Sequence, residues 1–145
     1  MRIKEMEKNR NQELADFYRI LLEAERAGVQ SISDILPSVE EGELKTLMTR
    51  YLRDEGMNCQ ILISLIKNLG FDPGNKTGDF LGKIRALDTV KEKLDLLIKG
   101  QEWVAKQIRY KRELIDYTSS RLFMEAVKIQ HEENVDMMKK MILNI

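Results

Sequence analysis

A single histidine, a single cysteine and a set of acids and amides are the side chains of this sequence whose types suit metal binding or proton sharing. Their spacing is informative. Read at about 100° per residue, Glu25 lies at the centre of an apolar helical face made by Leu14, Tyr18, Leu21, Leu22, Val29, Ile32 and Leu36. Glu55, Asn58 and Cys59 occupy the middle of a second face, formed by Leu44, Met48, Tyr51, Leu52, Leu62, Ile66 and Leu69. Gln101 is central to a third, among Val90, Leu94, Leu97, Ile98, Val104, Ala105 and Ile108. In the fourth, Gln130, His131 and Asn134 fill the gap between Phe123, Met124 and Val127 on one side and Met138, Met141 and Ile142 on the other. Glu23 and Glu132 point away, whereas Glu102 and Glu133 sit on shoulders from which a helix rotation would bring them inward.

Each central group falls near the midpoint of its stretch, so packed helices would bring them to one level as a polar belt. A buried carboxylate without a partner is strongly unfavourable, and two close together raise each other's pKa. Something must compensate Glu25 and Glu55. One answer is a cation: Glu25, Glu55 and His131 supply N/O ligands for a transition metal such as Fe, Mn or Zn with open positions, and Asn58, Gln101, Gln130 and Asn134 are weak ligands or hydrogen-bonding neighbours. The other is a metal-free network in which protonation and amide hydrogen bonds fix helix register. Cys59 reads as a buried, inert thiol, and Met124, Met137, Met138 and Met141 as packing. No serine, cysteine or lysine constellation points to a nucleophilic enzyme, and no glycine motif would cradle a phosphate.

The elements that position the belt follow from punctuation. Pro37 and Pro73 interrupt long helical periodicity. The first helix is expected from about Asn11 to Leu36, and the second after a Ser38–Glu41 capping box, ending near Leu69 where Gly70 supplies the stop. The segment FDPGNKTGD reads as turns and FLGKIRAL as one or two short helical turns. The third helix is expected from about Thr89 to Leu114 and the fourth from about Thr118 to Ile142. Short links make helices 1–2 and 3–4 antiparallel hairpins. The link between them, of about 18 residues, reaches at most about 60 Å, enough to cross the full length of helices about 40 Å long. The chain thus reads as one all-α domain over residues 1–145, a four-helix bundle whose two hairpins are joined by a long crossover; an up-down-up-down bundle with an overlong loop remains the other topology.

This pattern resembles the ferritin-like di-iron and di-manganese carboxylate proteins, which carry an acid on helix 1, ExxH on helix 2, an acid on helix 3 and ExxH on helix 4. Glu25 stands at the first acid. Glu55, Gly56, Met57 and Asn58 stand at the first ExxH with Asn for His, Gln101 is the third-helix acid as an amide, and His131 to Asn134 replaces Glu by His and His by Asn. The stretches LLEAERAG, RDEGMNC and HEEN are also similar to a small bacterial ferritin-like family with no assigned activity. The resemblance implies a metal-binding protein and, with a redox-active ion, an oxidoreductase acting on O₂, peroxide or a small oxidisable substrate. The substitutions put a full dinuclear site in doubt. The other functional class is a non-catalytic scaffold or partner-binding protein that keeps the fold after losing the site.

Composition narrows the partners. Lys plus Arg equals Asp plus Glu at 24 each, which offers no field for nucleic acid or an anionic membrane. No apolar run reaches the length of a membrane span and MRIKEMEKNRNQE lacks a signal-peptide core, so a cytoplasmic protein is expected. Leu96, Trp103 and Tyr110 recur every seven residues opposite Gln101, an apolar stripe to be covered either by the crossover residues Phe80, Leu81 and Ile84 or, the favoured expectation, by a second subunit in a homodimer.

Overall fold

Long runs of good helix formers, interrupted by glycine, proline and hydroxyl-rich segments, make the chain all-helical in the computed structural model, which describes residues 2–145. The α-helices are α1 (Arg2–Ile35), α2 (Glu43–Asn68), α3 (Leu81–Arg85), α4 (Val90–Tyr110), α5 (Arg112–Ile115) and α6 (Arg121–Ile142), with a 3₁₀ turn at Leu36–Ser38. No strand occurs among the described residues, and none of their helices is long and apolar enough to cross a membrane.

Several boundaries differ from the sequence expectation, each for a local reason. α1 begins at Arg2 rather than near Asn11, because the exposed Lys-, Glu- and Arg-rich segment before Leu14 has strong helix propensity although it buries nothing. The expected Ser38–Glu41 capping box does not form. Ser38 closes the 3₁₀ turn, Val39 is extended and buried, and α2 starts only after Gly42, whose φ of 152° disfavours any other residue. Glu41 instead pairs with Lys45 at 3.2 Å. The C-terminus of α2 is a Schellman motif: Gly70, at φ 88°, donates its N–H to Lys67 O, and Phe71 donates to Ile66 O. At the start of α4, Thr89 Oγ1 accepts from Glu92 N at 3.1 Å while it bonds the Glu92 carboxylate at 2.8 Å. The helix expected to reach Leu114 breaks at Lys111, and α6 starts at Arg121 rather than Thr118. There the Thr118 hydroxyl bonds Ile115 O and Ser120 Oγ, a local bonding that competes with helix.

Two apolar clusters make the core. One contains Ile32, Ile35, Met48, Leu94, Leu97 and Met138, and the other Leu14, Leu21, Leu62, Ile66, Ile108 and Met124. α1 runs from the second cluster to the first, α2 returns, α4 again leaves the first cluster for the second, and α6 comes back. α2 and α4 therefore start at the same end, and residues 69–89 must carry the chain along the molecule. That connection is tied to α1: Arg19 bonds Asp72 O, Arg26 bonds Gly74 O and Lys76 O, Gly78 N bonds Glu23 O at 3.2 Å, and Arg85 pairs with Asp34 at 2.9 Å.

The connection also covers part of the outer stripe of α4. Ile84 is fully buried, Phe80 lies across Gly100, where a Cβ would come within 3.1 Å of its ring, and Leu96 is half-buried. Trp103 remains 43 % and Tyr110 70 % exposed within the single chain.

Candidate metal centre

Between the two apolar clusters lies a layer of buried polar side chains: Glu25 from α1, Glu55 and Asn58 from α2, Gln101 from α4, and His131 and Asn134 from α6. Each helix turns its apolar face inward, and the residue at the middle of that face is buried. Glu25, Glu55 and His131 are 1 %, 2 % and 0 % exposed, and one ligand atom from each lies within 4.8 Å of the others.

The hydrogen bonds around this layer leave its chemistry unfinished. Nδ1–H of His131 donates to Val127 O at 2.8 Å, since a carbonyl can only accept, and this fixes Nε2 as the atom facing the carboxylates. Nε2 lies 3.1 Å from Glu25 Oε1 and 3.9 Å from Glu55 Oε1, close enough for charge attraction when the imidazole is protonated. Asn58 Nδ2 donates to Glu25 Oε1 at 3.4 Å and to Gln130 Oε1 at 2.9 Å, and Gln101 Nε2 donates to Glu55 Oε1. Glu25 Oε2, Glu55 Oε2, Gln101 Oε1 and His131 Nε2 are nonetheless buried without a partner, as is Ser31 Oγ. Each such atom destabilises the fold by about 1–3 kcal/mol unless something meets it.

Electrostatics show the same incompleteness. Burial, reinforced by the charge of Glu25, pushes the Glu55 carboxyl well above the usual range, only partly offset by His131 and the Gln101 hydrogen bond. For His131, burial acts to lower the pKa, but the adjacent Glu25 and then Glu55 outweigh it and raise the imidazole to about 9. Without an added cation, the layer therefore retains protons.

A divalent ion fits these atoms. Ligands about 2.1 Å from a tetrahedral metal stand about 3.4 Å apart, and the observed 3.1 and 3.9 Å bracket that spacing. Two carboxylates would balance the ion's charge, and the Nδ1–H anchor of His131 to a backbone carbonyl is the arrangement that steadies ligating histidines. The ion would also meet His131 Nε2, which has no other partner.

The remaining expected residues divide clearly. Asn58, Gln101, Gln130 and Asn134 border the site, although the backbone carbonyl of Asn134 is taken by the Tyr51 hydroxyl at 2.7 Å. Glu102 and Glu133 do not join it: both are exposed, and Glu102 lies 3.6 Å from Lys139. The shoulder position that made them candidates points into water, where a carboxylate is better solvated. Cys59 is half-buried rather than fully enclosed, and burial together with Glu25 and Glu55 pushes its thiol up to about 12, which keeps it inert. Leu96, Trp103 and Tyr110 lie on the outer side of α4, away from the layer.

Gly28 is a residue that the polarity pattern did not disclose. It faces Glu55 so closely that an added Cβ would overlap Oε2 and lie 2.8 Å from Cδ and Oε1. The available signal was the run of small residues Ala24, Ala27 and Gly28 on the inward side of α1.

No curated protein and no solved structure matches the chain. The family model of the domain of unknown function DUF6306 matches residues 12–140, and the chain belongs to that family.

Proposed function

We propose that this protein is a ferritin-like metal-binding protein that holds one divalent first-row transition-metal ion between Glu25, Glu55 and His131. The observation that carries the reading is the convergence of Glu25, Glu55 and His131, each buried and each with a side-chain atom that has no partner, between the two apolar clusters. Two further observations support it. The parallel course of α2 and α4, with a long connection between two helix pairs, is the course that a ferritin-like bundle would require. Amides at Asn58 and Gln101, where that superfamily has metal ligands, favour one ion over two.

When bound, an Fe, Mn or Zn ion would supply Lewis-acid chemistry, and Fe or Mn redox chemistry as well, which is the oxidoreductase form of the proposal. The chain's own groups have defined tasks. Val127 O holds the imidazole ring, Gln101 and Asn58 orient the two carboxylates, and the apolar clusters above and below exclude water.

A second reading has its own support. With His131 protonated beside Glu25 and Glu55 neutral, the layer is a metal-free network that fixes helix register in a scaffold protein. Elemental analysis of protein purified without chelator separates the two, with about one metal ion per chain expected from the three-ligand set. A thermal melt provides the complement. Under the metal reading, a chelator lowers the Tm of the wild type, and Glu55→Gln binds metal poorly. No chelator effect, together with a more stable Glu55→Gln variant, would sink the metal reading and the oxidoreductase with it.

A further inference from the structure

A cavity of about 410 Å³ opens between α1, α4 and the segment 78–83, and its inner end is the polar layer itself. Its walls are apolar, from Ala24, Ala27, Leu97 and Val104. Its rim carries Trp103 and Phe80, and its floor is formed by Gly28, Glu55 and Gln101. The lack of a side chain at Gly28 is what lets the Glu55 carboxylate sit against α1 at this end of the cavity.

Two floor residues, each more than nine-tenths buried, have atoms without partners: Glu55 Oε2 and Gln101 Oε1. The Gln101 amide already donates through Nε2 to Glu55, so its oxygen is left as an acceptor with nothing to accept. From this geometry we infer that the cavity is a binding site for a small uncharged molecule with an apolar body and one hydrogen-bond-donating head, such as an aryl or alkyl alcohol, whose hydroxyl reaches Gln101 Oε1.

The body of such a molecule lies between Ala24, Leu97 and Val104, with its outer end beneath Trp103. An anionic head is disfavoured because the apolar walls and the floor offer it no cation, so its charge would be desolvated without compensation. A cationic head gains little, because Glu25 and His131 already face each other at 3.1 Å and the rim balances Glu23 and Asp79 against Lys83 and Lys99. A purely apolar molecule fills the walls but leaves the floor oxygen unmet, which is the penalty that gives sites of this kind their selectivity. The inference goes beyond metal binding and does not need the ion, since Gln101 Oε1 is not one of the three proposed ligand atoms.

The test is a titration of chelator-treated full-length protein with benzyl alcohol, toluene and benzoate, followed by the ¹⁵N resonance of the Trp103 indole, the sole tryptophan. Benzyl alcohol is expected to bind saturably with a Kd of about 1 mM, the range open to a ligand of this size. It should bind about three- to tenfold more tightly than toluene, the worth of one hydrogen bond, and benzoate more weakly still. Gln101→Leu should remove the preference for the alcohol over toluene. Ala24→Leu, which fills a wall, should abolish binding of both, and Ile20→Phe at the exposed mouth does the same if Ala24→Leu fails to fold. Equal affinity for toluene and benzyl alcohol, a preference for benzoate, no saturable shift with any probe, or binding untouched by the wall variants would each overturn the inference. Alcohol binding in a protein that takes up no metal defeats the metal reading alone, and metal uptake without alcohol binding defeats this inference alone.

Discussion

Replacing Gly28 by alanine tests the central geometry with one methyl group. A glycine in a helix interior is ordinarily a liability, and exchanging it for alanine gains about 0.5–1 kcal/mol. Gly56 should behave in this ordinary way, because a Cβ there meets nothing within 4 Å. At Gly28 the same methyl overlaps the Glu55 carboxylate, 2.8 Å from its Cδ and Oε1. The carboxylate cannot retreat without breaking the bond from Gln101 Nε2, which leaves two polar groups stranded in the interior at about 1–3 kcal/mol each. After subtracting the helix gain, Gly28→Ala should be destabilising by about 1–5 kcal/mol. For a chain of this size, at about 3 °C per kcal/mol, that lowers the Tm by about 3–15 °C, while Gly56→Ala raises it by about 1.5–3 °C. Paired thermal melts by circular dichroism, in the presence of chelator, provide the measurement. If Gly28→Ala rises in Tm alongside Gly56→Ala, then Glu55 does not press against α1, and the close packing of the polar layer on that helix is refuted.

Three further outcomes are expected. In chelated protein, His131 is raised to about 9 from an unfolded value of about 6.5, and Glu55 is raised as well, so the folded state binds more protons than the unfolded one. The His131 contribution, on the order of 3 kcal/mol, should be fully present below pH 6.5 and lost as the pH rises toward 9, which denaturant titrations at pH 6, 7.5 and 9 would show. Zinc or manganese should reverse that slope, because bound metal displaces those protons; isothermal titration in buffers of different ionisation enthalpy should register their release, and zero release would contradict the ligand set. The homodimer proposed from the apolar stripe on α4 is checked by sedimentation velocity at tens of micromolar, where Trp103→Asp should yield monomers, and a wild-type monomer removes the proposal.

Much of this arrangement was legible in the sequence, because burial of one face per helix is a strong periodic constraint. A carboxylate among leucines, as at Glu25, stands out against it. Gly70 and Thr89 were readable as helix-end residues for a similar reason, since their roles depend on a few neighbouring atoms. The start of α1 was not, because apolar periodicity is silent where a helix buries nothing. Ser38 and Glu41 matched a capping spacing yet did not cap, since burying Val39 pulls the backbone out of the geometry that a cap requires. Gly28 and the cavity were hidden for a different reason. Both depend on the separation of α1 from α2 and α4, which helical projection leaves undefined.

The polar layer also bears on how the molecule comes apart. It interrupts the apolar interior, so the two ends share no continuous greasy contact and communicate mainly through the four long helices that thread both. An all-or-none transition then depends on the layer being satisfied. With its atoms met, loosening one end should strain the other, and amides on either side should exchange with deuterium in step. With the layer disturbed, the end containing Leu14, Leu62 and Ile108 can open while the end containing Ile32, Leu94 and Met138 stays closed. The layer would then act as a joint between two independently melting halves, and the state of three side chains would set whether the protein unfolds once or twice.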